Sequence, residues 1–109
     1  AVAANGMIYV LGGVSSAAHS LSSVERFLPS STGWERMPSM KCARGAASAV
    51  AVGGQIYVAG GRDGFQSLDS LERLDPGVRQ WEFLMPLRSA RFGAAAAVLG
   101  GQIYMLGGK

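Results

Sequence analysis

Cysteine occurs once in the 109 residues, at Cys42, so no internal disulfide can form and a reducing compartment, the cytoplasm, is the expected setting. Histidine also occurs once, at His19, and a single imidazole cannot supply the converging nitrogen ligands of a transition-metal site. No metal and no cofactor are therefore expected. Cys42 and His19 are the only candidates for a nucleophile and its base, and nothing in the sequence places them together or supplies a third, orienting residue. A phosphate-binding GxxxxGK loop is missing too, because the one candidate lysine, Lys109, has Ile103 where the first glycine should stand. The chain is not expected to be an enzyme. Charge is sparse, at 16% of residues and a net +3, and too scattered for a nucleic-acid footprint. Long apolar runs are absent: the longest such region, 93–108, is interrupted by Gly100, Gly101 and Gln102, so no membrane span is expected. No basic-then-apolar leader opens the sequence, and no secretory signal is read in it.

Glycine is plentiful, with 16 residues set at fixed places. The stretch IYVLGG at 8–13 returns as IYVAGG at 56–61 and as IYMLGG at 103–108. Tyr9, Tyr57 and Tyr104 are spaced by 48 and 47 residues; Glu25 and Glu72, Arg26 and Arg73, Pro29 and Pro76, Trp34 and Trp81, and Arg44 and Arg91 are each 47 apart. A near-constant period of this size marks one structural unit written more than once.

The unit reads as four short strands. RGAASAVAV (44–52) and RFGAAAAVL (91–99) are rich in alanine, a helix former, but their valines and the glycine pair that follows argue for a strand with small side chains on both faces. Asn5-Gly6, Gly53-Gly54 and Gly100-Gly101 fit two-residue hairpins that need positive φ, and the IYV segment is the second strand. A variable loop follows the glycine doublet, VSSAAHSLSS in one repeat and RDGFQSLDS in the next. VERFLP and LERLDP form the third strand, with alternating exposed charge, and Pro29 and Pro76 end it because proline cannot donate to a ladder. The turns SSTG and GVRQ lead to the fourth strand, WERM or WEFL. Trp34 and Trp81 are expected to pack between neighbouring units, the three tyrosines nearer the axis, and Met37, Met40 and Met85 in the packing beside the fourth strand.

The glycine doublet, the VERF or LERL segment with its proline and the tryptophan after it resemble the kelch repeat along the whole chain. The resemblance implies an all-β fold, four-stranded antiparallel blades of a kelch β-propeller, with about two and a third blades present as a partial propeller. The expected division is 1–43, a blade lacking most of its first strand; 44–90, a complete repeat; and 91–109, the first two strands of a third. Neither end falls on a blade boundary, so the chain is expected to belong to a longer propeller, or to self-associate to cover open blade faces. Phe27 and Leu74 stand where the family usually has tyrosine, which implies that a hydrogen bond normal in such blades is missing.

GGRDG followed by LDSLERLDP and tryptophan resembles in particular the kelch units of substrate adaptors for cullin-dependent ubiquitin ligases. That resemblance implies a non-catalytic protein-interaction module whose loops line one mouth of the ring. The matching positions are Val14 to Ser22 and Arg62 to Asp69, together with Arg44 and Arg91. Arg44, Arg62 and Arg91 would clamp an acidic peptide, with Phe65 as an apolar anchor and Asp63 as a polar contact. Arg44 and Arg91 repeat in register, which equally fits a structural pairing with a carboxylate or with backbone carbonyls of a neighbouring blade. The serines Ser15, Ser16 and Ser20 to Ser23 read as a polar loop. Actin binding through blade surfaces, or service as the accessory propeller of a larger enzyme, are the alternative roles.

Overall fold

The computed structural model describes residues 1–15, 19–30 and 33–109, so Ser16 of the first variable loop and Ser31 and Thr32 of the SSTG turn lie outside the described residues. Ten strands and no helix are found among the described residues. The first sheet holds β1 (Val2–Ala4), β2 (Met7–Leu11), β3 (Val24–Leu28) and β4 (Gly33–Met37). The second holds β5 (Ser48–Val52), β6 (Gln55–Ala59), β7 (Leu71–Asp75) and β8 (Gln80–Phe83). The third is the hairpin of β9 (Ala95–Leu99) and β10 (Gln102–Leu106). All neighbours are antiparallel and follow chain order, and β5 lies between β1 and β9. The architecture is that of propeller blades ranged along one axis.

Local chemistry explains each blade. Asn5 and Gly6 have φ of 53° and 74°, and Gly53 and Gly54 58° and 79°, the doubly positive pair whose twist matches a two-residue hairpin. The alanines at β5 form strand rather than helix because neighbouring sheets lie on both sides of it: Ala47, Ala49 and Ala51 pack against the core of Tyr9, Val24, Ile56, Val58 and Leu74. β7 stops at Asp75, immediately before Pro76, and the turn beyond it is held by Gly77 N–H on Asp75 Oδ1 at 2.9 Å and by Arg79 N–H on the Asp75 carbonyl at 2.8 Å.

Side chains of the same type differ in burial according to what faces them. Trp81 is buried and donates its indole N–H to the Pro38 carbonyl of the blade before it, at 2.8 Å. Trp34, expected to pack in the same way, is instead 58% exposed and leans on Phe27, with ring centroids 5.2 Å apart. The reason is that a tryptophan at this position docks onto the preceding blade, and no sheet of the chain lies on that side of β4. Tyr9 is fully buried, whereas Tyr104 lies in a sheet of only two strands and is exposed. Met37 and Met40 are buried as expected; Met85 is not, and stands 85% exposed at the register position of Pro38, where no further tryptophan covers it.

Candidate functional site

The end of the sheets where β2 and β6 finish gathers all three arginines named as partner-binding candidates. They have different surroundings. Arg44 has no exposed surface. Its Nη2 lies 2.8 Å from Glu72 Oε2, and the guanidinium also donates to the Gly60 carbonyl at 2.8 Å, the Ser70 carbonyl at 3.0 Å and Ser70 Oγ at 2.8 Å. Glu72 is equally buried and accepts the backbone N–H groups of Lys41 at 2.6 Å and Cys42 at 3.1 Å. Two expectations are corrected here. Arg44 has no side-chain surface to offer a peptide, because its donors are spent inside the blade. Glu72 is not an exposed strand charge, because it shares the inward face of β7 with Leu74, against the chain segment arriving from the first blade. Its counterpart Glu25 has no such segment opposite and is exposed.

Arg91 repeats part of the Arg44 pattern. Its Nη1 donates to the Gly107 carbonyl at 3.0 Å, as Arg44 does to Gly60, and its Nη2 to Ser89 Oγ at 3.2 Å. The backbone of both arginines ties blades together: Gly13 N–H donates to the Arg44 carbonyl and Gly61 N–H to the Arg91 carbonyl, each at 2.8 Å. Repetition in register here marks scaffolding.

Arg62 is the exception. The residue is exposed, and among the described residues its guanidinium makes no hydrogen bond or ion pair. Its contact is with the Phe92 ring, 4.9 Å from guanidinium carbon to centroid, a cation–π stack that holds the side chain while leaving its N–H edge free. The backbone is fixed more firmly still, by paired bonds to Gly45 at 2.8 and 2.9 Å and by Ser20 Oγ donating to the Arg62 carbonyl at 2.8 Å. Beside it opens a cavity of about 290 Å³, lined with Arg62 by Val14, Ser20, Gly45, Ala46, Gly64 and Phe92. A second cavity, of about 180 Å³, lies where β7 turns into β8, and its charged groups are already engaged, Arg73 with Glu82 and Asp75 with Gln55. Among the described residues, an unpaired guanidinium lines the first cavity and not the second.

Asp63 and Phe65 belong to the loop that Arg62 begins. Asp63 Oδ1 accepts the N–H groups of Phe65 at 2.9 Å and Gln66 at 3.0 Å, so its carboxylate shapes the loop, and Phe65 projects at the tip, 93% exposed. Those two backbone bonds hold the Asp63 carboxyl below its ordinary value of 3.8. A depressed carboxylate stabilises the loop above its ordinary value, and that contribution is lost as pH falls through the lower, folded one. In an NMR titration the Phe65 amide should therefore shift with a midpoint below 3.8. A midpoint at or above that value would show that the turn bonds do not form in solution.

Phe92 escaped the sequence reading as a site residue, and Val14 entered it only as the first residue of the variable loop. Their signal was a break in the repeat: Val14 stands where the next repeat has Arg62, and Phe92 where the previous one has Gly45, while the glycines and arginines beside them recur unchanged. Among the described residues no group of three or more His, Cys, Asp or Glu side chains is close enough to hold a metal ion, and no helix is long and apolar enough to cross a membrane.

Sheets that stack by repeated backbone ties, with an unpaired guanidinium held in the loop that follows β6, define a repeat protein of propeller blades that presents a loop surface. The Kelch motif family model matches residues 1–41 and 43–88. The chain belongs to the kelch-repeat family. Kelch repeats generally mediate protein–protein interaction, and domains built from them are typically non-catalytic.

Proposed function

We propose that this chain serves as a protein-recognition surface that takes acidic peptide segments at the Arg62 mouth, and that it is the substrate-recognition region of an adaptor delivering proteins to a cullin-dependent ubiquitin ligase in the cytoplasm. The observation that carries the peptide reading is the contrast among the three arginines. The Arg44 donors are spent, those of Arg91 are partly spent, and those of Arg62 are free on a side chain already held in place. A guanidinium fixed on a ring loses little further freedom when it binds, and its planar N–H fork matches a carboxylate in a way a lysine cannot. The adaptor role is supported by the likeness of residues 60–81 to adaptor blades.

The test uses a fluorescent-labelled peptide rich in Glu and Gly, followed by anisotropy at low and at physiological salt. Arg62→Ala is expected to weaken binding by about ten- to hundredfold, the worth of roughly 1.5–3 kcal/mol for hydrogen bonds to a charged group. The urea midpoint should stay unchanged, because Arg62 supports the fold through its backbone. Arg62→Lys should recover only part of the loss. Equal binding by Arg62→Ala and the wild-type chain would remove the clamp from this site.

A further inference from the structure

The acidic-peptide reading, on which this inference rests, extends to the partner's sequence through the cavity beside Arg62. At about 290 Å³ the cavity lies just under the roughly 300–1,000 Å³ of pockets that enclose drug-sized ligands, so it suits a single side chain better than a whole small molecule. Val14, Ala46 and Phe92 supply the apolar side chains of its lining, beside Ser20, Gly45 and Gly64. Ala46 has φ of +53°, a conformation that non-glycine residues rarely adopt, and the same register position in the third hairpin is Gly93 at +70°. The second repeat thus carries a side chain at a residue lining the cavity where the backbone would be more relaxed without one. Arg62 stands at the rim with its guanidinium edge free.

We infer that the partner is an extended peptide in which an aliphatic side chain lies two residues from the carboxylate bound by Arg62, and that Val14, Ala46 and Phe92 receive that side chain. Two residues is the required spacing because alternate side chains of an extended chain share one face, about 6.6–6.8 Å apart, while adjacent ones point away from each other. The positive net charge of the chain and the unpaired guanidinium select the acidic partner, and the apolar lining selects its neighbour.

Four capped synthetic peptides on one glycine-rich background test the inference by isothermal titration calorimetry: Glu-Gly-Leu, Glu-Leu-Gly, Glu-Gly-Gly and Gln-Gly-Leu. The Glu-Gly-Leu peptide is expected to bind about tenfold tighter than Glu-Gly-Gly, the low end of what burying one leucine yields, and to outbind Glu-Leu-Gly. Val14→Ser, at a position already 58% exposed, and Ala46→Gly, which relaxes the backbone, should both fold and should both shrink that advantage. If the three Glu peptides bind alike, or if neither variant shrinks the leucine advantage, the apolar subsite is overturned while the acidic reading stands. If Gln-Gly-Leu binds as well as Glu-Gly-Leu, or if none of the four binds, the acidic reading falls and the inference with it.

Discussion

A chain carrying Glu72→Ala is expected to lose about 3–5 kcal/mol of stability, the usual cost of stripping one partner from a buried ion pair. Arg44 and Glu72 are both fully enclosed, and the carboxylate accepts from Arg44 Nε at 3.2 Å, Arg44 Nη2 at 2.8 Å and the N–H groups of Lys41 and Cys42. Removing it leaves a buried cation facing only carbonyls and a hydroxyl, and two backbone donors with no acceptor. Against a total stability of about 5–15 kcal/mol for a small domain, such a loss is enough to erase a cooperative urea transition. Trp81, buried at the same inter-blade junction, reports that transition by its fluorescence. The double variant Arg44→Met with Glu72→Leu separates the two contributions. Replacing a buried pair by apolar residues is often neutral. Here the orphaned Lys41 and Cys42 donors, at about 1–3 kcal/mol each, should keep the double variant below wild type. A change under about 1 kcal/mol for Glu72→Ala alone would show that the pair adds nothing.

Gly60→Ala is expected to cost about 3 kcal/mol or more. The residue has φ of +67°, and a Cβ on it would lie 2.4 Å from the Arg91 carbonyl oxygen, the same oxygen that accepts Gly61 N–H at 2.8 Å. The left-handed conformation accounts for roughly 1–3 kcal/mol; the clash adds to it, because relieving the overlap moves the third hairpin away from the second blade. Gly53→Ala is the control. Its φ is +58°, but nothing lies within 4 Å of its Cβ position, so only the conformational cost applies. Urea midpoints of the two variants measure the difference directly. Equal losses would mean that the close approach of the blades is not what requires a glycine at the first position of the doublet.

The periodic features of the chain were legible because short-range chemistry produces them. Gly53-Gly54 can close a hairpin whatever lies around it, Pro76 ends a strand because it lacks an N–H, and a 47-residue spacing of Glu, Arg, Pro and Trp must come from one unit used again. The recurrence of Trp34 and Trp81 marked the position but not the burial, since Trp81 docks on Pro38 of the blade before it and Trp34 stays exposed. The roles of the charged residues were not legible. Glu25 and Glu72 sit in nearly the same words, VERFLP and LERLDP, yet one is exposed and the other fully buried. Arg44, Arg62 and Arg91 were all candidates for the same task, and only Arg62 keeps its donors free.

The strand order, the turns and the repeat were thus determined by the sequence alone, since each depends on backbone preferences within a few residues or on plain recurrence. The tertiary structure decided which arginine is spent and which is available, and that Val14 of one blade, Ala46 of the next and Phe92 at the start of a third hairpin meet around one cavity. Burial and ion pairing depend on neighbours that arrive from 28 to 49 residues away, as Arg44 reaches Glu72 and Asn5 reaches Gly54, and no local pattern specifies what such a neighbour will be.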